Sequence, residues 1–324
     1  MCLGFVAMGA AILLAPRFLK RFTNPIFYGS VILLGLVVAI GSVGGGAQRW
    51  LAIGPIRFQP SELVKFSLVF YFAKRISERP KNQICNFKTG LLPYLVILVI
   101  LAGIMILQDH LSGAIMIMAT GIIVLIAGGA NMWHIGLLVP FAVAGAGALA
   151  VLEPYRFKRL VAFVDPFAVK MEEGWQIVQG LYAVASGGLF GLGLGQSRQK
   201  FLYIPEAHND YIYAIICEEL GFVGAIIVAA LFALLITRGI YIALHTKDAF
   251  ASLTVFGITS IIGLQYLINV GVVTSTIPNT GMQLPFFSAG GSSLIFIMGA
   301  MGVVLGMSKQ VKPKGAMRTK GDKR

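Results

Sequence analysis

LSGAIMIMATGIIVLIAGGA, from Leu111 to Ala130, runs for twenty residues without a charge. At a rise of about 1.5 Å per residue, a helix of about 20 apolar residues crosses the roughly 30 Å hydrocarbon layer of a bilayer. Working outward, further apolar runs recur at Met1–Ala15, Pro25–Val43, Ser61–Ala73, Leu91–Leu107, His134–Leu152, Tyr211–Thr237, Ala251–Thr274 and Phe286–Met307. With the first, that makes about nine spans. Those at Met1–Ala15 and Ser61–Ala73 are short, and the latter crosses only if Lys74 and Arg75 snorkel at its end.

Composition agrees with the spans. Of 324 residues 57% are hydrophobic and 12% charged, with a mean hydropathy of +0.83. A soluble chain carries about a quarter charged residues, so a water-soluble domain is excluded. Cys2, Cys85 and Cys217 lie far apart and imply neither a disulfide framework nor a zinc site.

The net charge of +13 would suggest nucleic acid in a soluble protein; in a membrane protein it describes topology. Of the 26 Lys and Arg, 17 fall on one set of alternating loops: Arg17 to Arg21, Lys74 to Lys88, Arg238 and Lys247, and the tail from Lys309. The other set holds eight: Arg49, Arg57 and six between Arg156 and Lys200. The rule that positives stay inside places the tail in the cytoplasm and the long loop Glu153–Asp210 outside. No nucleic-acid partner is expected.

The expected fold class is an all-α polytopic membrane protein with one large extracytoplasmic loop containing interfacial helices. Phe157, Leu160, Val161, Phe163 and Phe167 alternate there with Arg156, Lys158 and Arg159, as suits a helix lying in the interface. The chain reads as a single integral membrane domain over 1–324: six spans in 1–152, the loop in 153–210, three spans in 211–308 and a basic tail in 309–324. An odd number of spans with the tail inside puts Met1 outside, although no basic flank precedes the first span. The expectation is a cut inside a helix pair or a missing preceding span.

Five stretches could carry chemistry. Gln59-Pro60-Ser61-Glu62-Leu63-Val64-Lys65 opens a helix and sets Glu62 and Lys65 three apart on one face, as a structural ion pair or a substrate contact, the former preferred. Gln108 to Gly113 forms a tight outer connection carrying Asp109 and His110. Gly187 to Gly195 is glycine-rich but lacks the Gly-Lys-Ser/Thr ending and preceding strand of a nucleotide loop; with Arg198 and Lys200 it is either a pyrophosphate cradle or a solvated basic turn. Ile204 to Gly221 includes Glu206, His208 and Asp210 where the long loop re-enters the membrane. Asp210 is a general base or a helix N-cap, and by sequence alone the cap is preferred. Thr280 to Ser293, with Ser292, is rich in small residues suited to close helix packing.

Taken in order, these motifs resemble the SEDS family, the FtsW/RodA/SpoVE group of bacterial membrane glycosyltransferases. The resemblance rests on Gln48-Arg49-Trp50, Gln59 to Lys65, Gly180 to Ala183, Gly195 to Lys200, Pro205 to Gly221 and Pro285 to Ser293, and spans nearly the whole chain. Gln196 to Lys200 is most similar to the FtsW/SpoVE side. The resemblance implies ten spans with both termini cytoplasmic, so that nine fit if the family's first helix is absent. It implies polymerisation of lipid II at the outer face, expelling undecaprenyl pyrophosphate, beside a class B penicillin-binding protein in the division or sporulation machinery. It also makes Asp210 the catalytic residue, overturning the cap preference, and Glu62 and Lys65 paired cavity charges. Expected substrate contacts are Arg49, Glu62, Lys65, Arg198, Lys200, Glu206, His208 and Ser292. The resemblance fixes no cofactor; a divalent cation (Mg or Mn) is the candidate to offset the leaving-group charge, and the sequence shows no cation site. Two departures stand at Gln108 to Gly113, where the family has Gln-Pro-Asp-Leu-Gly, and at Ala289, where it has Tyr. The rival functions are a lipid II flippase and a non-catalytic scaffold for the penicillin-binding protein.

Overall fold

The computed structural model describes residues 1–44, 47–54, 56–80, 83–169, 174–200, 204 and 207–311. Six of its helices are long and apolar enough to cross a membrane: Phe18–Ile40, Phe87–Ile106, Met132–Leu149, Ile212–His245, Ala249–Val273 and Gly291–Ser308. Cys2–Leu14 and Leu111–Ala127 are shorter apolar helices. The remaining expected span lies on the helix Pro60–Ser77, whose Glu62, Lys65, Lys74 and Arg75 set it apart by composition. The chain is a multi-pass membrane protein.

In chain order the helices are α1 (Cys2–Ile40), α2 (Pro60–Ser77), α3 (Leu92–Ile106), α4 (Leu111–Ala127), α5 (Met132–Leu152), α6 (Pro154–Val164), α7 (Trp175–Ser186), α8 (Ile212–His245), α9 (Ala249–Val273) and α10 (Gly291–Ser308). Three boundaries differ from the sequence reading. The turn expected between the first two spans is helical backbone, because α1 continues through residues 16–24; there the Thr23 hydroxyl donates back to the Leu19 carbonyl at 2.6 Å. Helix α10 begins at Gly291 rather than Phe286, since the preceding segment spends its polar groups on the loop before α8. A small antiparallel sheet, β1 (Ser42–Gly44), β2 (Ala47–Ile53) and β3 (Ile56–Phe58), fills the connection after α1, pairing Ser42 with Trp50 and Leu51 with Phe58. Trp50, Leu51 and Ile53, bounded in the sequence by the Gly44–Gly46 run and by Gly54, supply strand-favouring side chains between turn residues.

The residues form two compact units, each assembled from separate stretches. The first comprises Met1–Ala130, Thr237–Ser260 and Ile295–Arg324. Its centre is α2, whose Val64, Leu68, Val69, Phe72 and Ala73 are buried. Ser30 and Ser67 share a 2.7 Å hydrogen bond between α1 and α2, and the Phe27 ring stacks on Tyr71 at 4.2 Å. Gly257 of α9 lies so close to Val69 and Val124 that a side chain there would displace them. Such close approach through small residues is how helices associate where lipid offers no hydrophobic contrast.

The second unit comprises Asn131–Ile236 and Ile261–Leu294. It contains α6, where Pro154 occupies the first turn and Phe157, Lys158 and Val161 are exposed. Buried Tyr211 lies beside α7, against Gly180, where an added Cβ would stand 2.6 Å from the Tyr211 ring. Its hydroxyl has no hydrogen-bond partner among the described residues.

Candidate active site

Asp210 lies in the second unit, two residues before α8, so the first helical residue is Ile212. It is half-buried, with Asn209 half-buried and His208 exposed beside it. What fixes this turn is its carbonyls. The Ala289 amide donates to the His208 carbonyl at 3.0 Å, the Ser288 hydroxyl to the Asn209 carbonyl at 2.5 Å, and the Asn269 side-chain amide to the Asp210 carbonyl at 2.8 Å. Asn269 is fully buried in α9 and gives its second N–H to the Met282 carbonyl at 2.7 Å, tying the turn to the segment before α10. Ser288 also accepts from the Leu284 amide at 2.8 Å. Three consecutive peptide carbonyls are thereby held from one side, and the carboxylate is set by a rigid backbone.

The neighbours of the carboxylate come from two places. Gly281 sits at φ 65, and a Cβ built there would approach the Asp210 Oδ2 at 3.2 Å, so glycine leaves room beside the acid. Asn279 shapes this turn, accepting from the Gly281 amide at 3.1 Å and donating to Gln176 of α7 at 3.0 Å. Arg159 of α6 donates to the Asn279 carbonyl at 3.3 Å, and the charges of Arg159 and Asp210 both reach the Tyr211 hydroxyl. Asn269, Ser288, Asn279 and Arg159 were missed as site residues by sequence reasoning. Only Asn269 gave a signal, as a polar side chain deep in an apolar span.

The glycine-rich segment after α7 meets two carboxylates of the same chain. Buried Glu218 accepts from the Ser197 hydroxyl at 2.5 Å and from the Arg198 and Gln199 amides at 3.1 and 3.4 Å. Glu219 accepts from the Gly195 and Ser197 amides at 3.0 and 3.2 Å. Lys200 binds Glu219 at 2.8 Å and the Gly195 carbonyl at 2.6 Å. The donors expected to face a pyrophosphate thus serve Glu218 and Glu219, whereas Arg198 remains exposed. Ser292 is half-buried in the first turn of α10, and Glu206 lies outside the described residues.

In the first unit, Lys65 and Glu62 form a buried ion pair at 2.7 Å. Arg49 of β2 donates to the Asp109 carbonyl at 2.5 Å, and Asp109 adopts φ 52. His110, next along, folds its ring over Gly113, leaving no room for a side chain there. Burial first, then the Arg49 and Lys65 charges, pull the His110 imidazole down to about 3. The imidazole is therefore neutral at pH 7, and its Nδ1 has no hydrogen-bond partner.

Comparison with known proteins sets these features in a lineage. The chain is 36% identical over 312 residues to the probable peptidoglycan glycosyltransferase FtsW of Geobacter sp. (strain M18), covering 96% of this chain and 85% of that protein. It is 42% identical over 279 residues to stage V sporulation protein E of Bacillus subtilis (strain 168), covering 86% and 76%. Among solved structures it resembles a chain of a peptidoglycan synthase complex studied for how polymerization and crosslinking are coordinated, with TM-score 0.79, 28% identity and coverage of 95% and 86%. It also resembles the rod shape determining protein RodA of Thermus thermophilus, with TM-score 0.68, 27% identity and coverage of 96% and 85%. The FtsW/RodA/SpoVE family model, described as "Cell cycle protein", matches residues 1–313, and the chain belongs to that family.

Proposed function

We propose that this protein is a peptidoglycan glycosyltransferase that polymerises lipid II at the outer face of the cytoplasmic membrane. The observation that carries the reading is the Asp210 carboxylate, held beside Gly281 on a turn clamped through three carbonyls. A rigidly placed carboxylate is what general-base chemistry needs. Asp210 takes the proton of the acceptor sugar's 4-hydroxyl as that oxygen bonds to the anomeric carbon of the donor. The bond from that carbon to the lipid pyrophosphate breaks with inversion, and the pyrophosphate leaves with the electron pair.

Arg198, exposed in the segment held by Glu218 and Glu219, offsets the leaving-group charge, with Arg49 as a further cation; Lys200, expected to share that role, is paired with Glu219 and the Gly195 carbonyl. His208 and Ser292 are contacts for the sugar or peptide, as is Glu206 outside the described residues. The Glu62–Lys65 pair, in the first unit, is a further substrate contact. Among the described residues no three His, Cys, Asp or Glu side chains gather as a cation site, so no step is assigned to Mg or Mn.

The names of the relatives and the synthase-complex neighbour support a class B penicillin-binding protein as partner, in division or sporulation. The distribution of positive charge supports a cytoplasmic C-terminus.

The test is polymer formation. Purified protein with its penicillin-binding partner, given labelled lipid II in detergent, is expected to make glycan strands, and Asp210→Asn is expected to lower the rate by about 10²–10⁴-fold. Wild type that makes no polymer but moves lipid II across proteoliposomes would establish a flippase and sink the enzyme reading; neither activity would leave a scaffold.

A further inference from the structure

In an unbroken helix the amides of Phe222 and Val223 would bond the carbonyls of Glu218 and Glu219. Gly221, at φ 67 and ψ −166, breaks α8 at that point. All four freed groups are re-satisfied by the glycine-rich segment. Leu192 and Gly193 donate to the Glu218 and Glu219 carbonyls at 2.9 and 3.0 Å, and Phe222 and Val223 donate to the Gly188 and Leu189 carbonyls at 2.9 and 3.1 Å. Two helical hydrogen bonds are exchanged for four between loop and helix. On either side of Leu194, the amides from Gly191 to Lys200 also donate inside the chain, chiefly to the two glutamates.

The side chains of this inserted loop point away from the protein. Leu189 is 63% exposed, Phe190 81%, Leu192 41% and Leu194 76%. Irregular backbone is tolerated at membrane depth when its polar groups are paired within the protein, and large apolar side chains displayed together are disfavoured in water. The loop displays the apolar side chains, and five of its backbone groups are paired within the protein, namely the Gly191, Leu192 and Gly193 amides and the Leu189 and Gly193 carbonyls, which suits the headgroup–acyl boundary rather than the centre of the bilayer. It also continues a surface already turned to lipid, because Phe222 and Val223, whose amides hold Gly188 and Leu189, are themselves exposed apolar residues of a membrane-crossing helix.

We propose that Leu189–Leu194 is a membrane-inserted loop whose apolar side chains enter the bilayer leaflet on the Asp210 side. Gly187 and Gly191 lie so close to the backbone at Cys217 and Glu219 that side chains there would push the loop off the helix. Arg198, exposed beyond the glutamate-bound turn, then stands at the headgroup level, where lipid phosphates meet its charge.

The test measures depth in the full chain reconstituted in lipid nanodiscs. With Cys2→Ser and Cys85→Ser removing the exposed thiols, a nitroxide is attached at Phe190→Cys, at Leu194→Cys and, for comparison, at Arg198→Cys. Both apolar positions are exposed, so cysteine there disturbs no packing. Dissolved oxygen should relax the labels at 190 and 194 more than a water-soluble nickel chelate does, giving a positive depth parameter, while the label at 198 shows the reverse. Stronger relaxation by nickel at 190 and 194 would mean a loop in water and overturn the proposal. Shielding from both agents would mean that protein covers the loop, and would overturn it equally.

Discussion

Under the proposed mechanism, the Asp210 carboxylate is positioned by residues that grip its backbone rather than by the reacting groups. Asn269→Ala removes two hydrogen bonds from buried carbonyls at a cost of about 1–3 kcal/mol, and should lower kcat for polymerisation more than it raises KM. A matched loss in substrate binding would argue against a positioning role. The clamp was illegible in sequence because it grips carbonyls, which every residue carries, and only the donor Asn269 has a recognisable identity. Asp210 was singled out by its place in a long motif, whereas local chemistry alone preferred a cap. His110 makes a second residue-scale prediction. Its folded value of about 3 lies below the roughly 6.5 of an unfolded histidine. Between those values the unfolded chain binds a proton that the folded chain refuses, so stability is full above about pH 6.5 and falls as pH drops toward 3. Thermal unfolding in detergent should show this slope, and His110→Gln should flatten it. The Glu62–Lys65 pair separates its two sequence readings through a double variant. Glu62→Gln should destabilise by leaving a buried ammonium poorly paired, about 3–5 kcal/mol in comparable pairs. If the pair is structural, exchanging the charges with Glu62→Lys and Lys65→Glu recovers melting temperature; if it binds substrate, activity stays lost.

At the scale of elements, α8 shows how an apolar helix accommodates a break. Gly221→Ala places a Cβ against the Gly191 amide and the Leu189 carbonyl in a backbone conformation that itself costs a substituted residue about 1–3 kcal/mol. The variant should lose the well-ordered monodisperse state on gel filtration, while Gly136→Ala, with open space around it in α5, should not. The helices were legible because about twenty apolar residues admit few alternatives in a bilayer. The break was not, since its hydrogen-bond partners lie some thirty residues upstream and the helix pattern runs through Gly221 without interruption. The sheet after α1 was missed for a related reason: three short strands are too brief to give a periodic signal against nine apolar runs. Neither sequence reading of Gly187–Lys200, a pyrophosphate cradle or a solvated basic turn, supplied the acceptors, because Glu218 and Glu219 stand some twenty residues further along the chain.

For the whole molecule, charge placement was the most informative property of the sequence. It turned an apparent nucleic-acid signature into an orientation, and it predicts that a protease site fused after Arg324 is cut only when the cytoplasmic face is opened. Cleavage in intact cells by external protease would reverse the assigned topology. The division into units was invisible along the sequence because neither is a continuous stretch. The chain passes between them within α8, within α9 and near the start of α10, so three membrane helices take part in both. No single gene fragment therefore encodes either unit. A piece ending at Ala130 lacks the stretch of α9 that packs Gly257 against Val69 and Val124, and should recover its fold only when the remaining residues are expressed beside it, as a split pair rather than as an independent module.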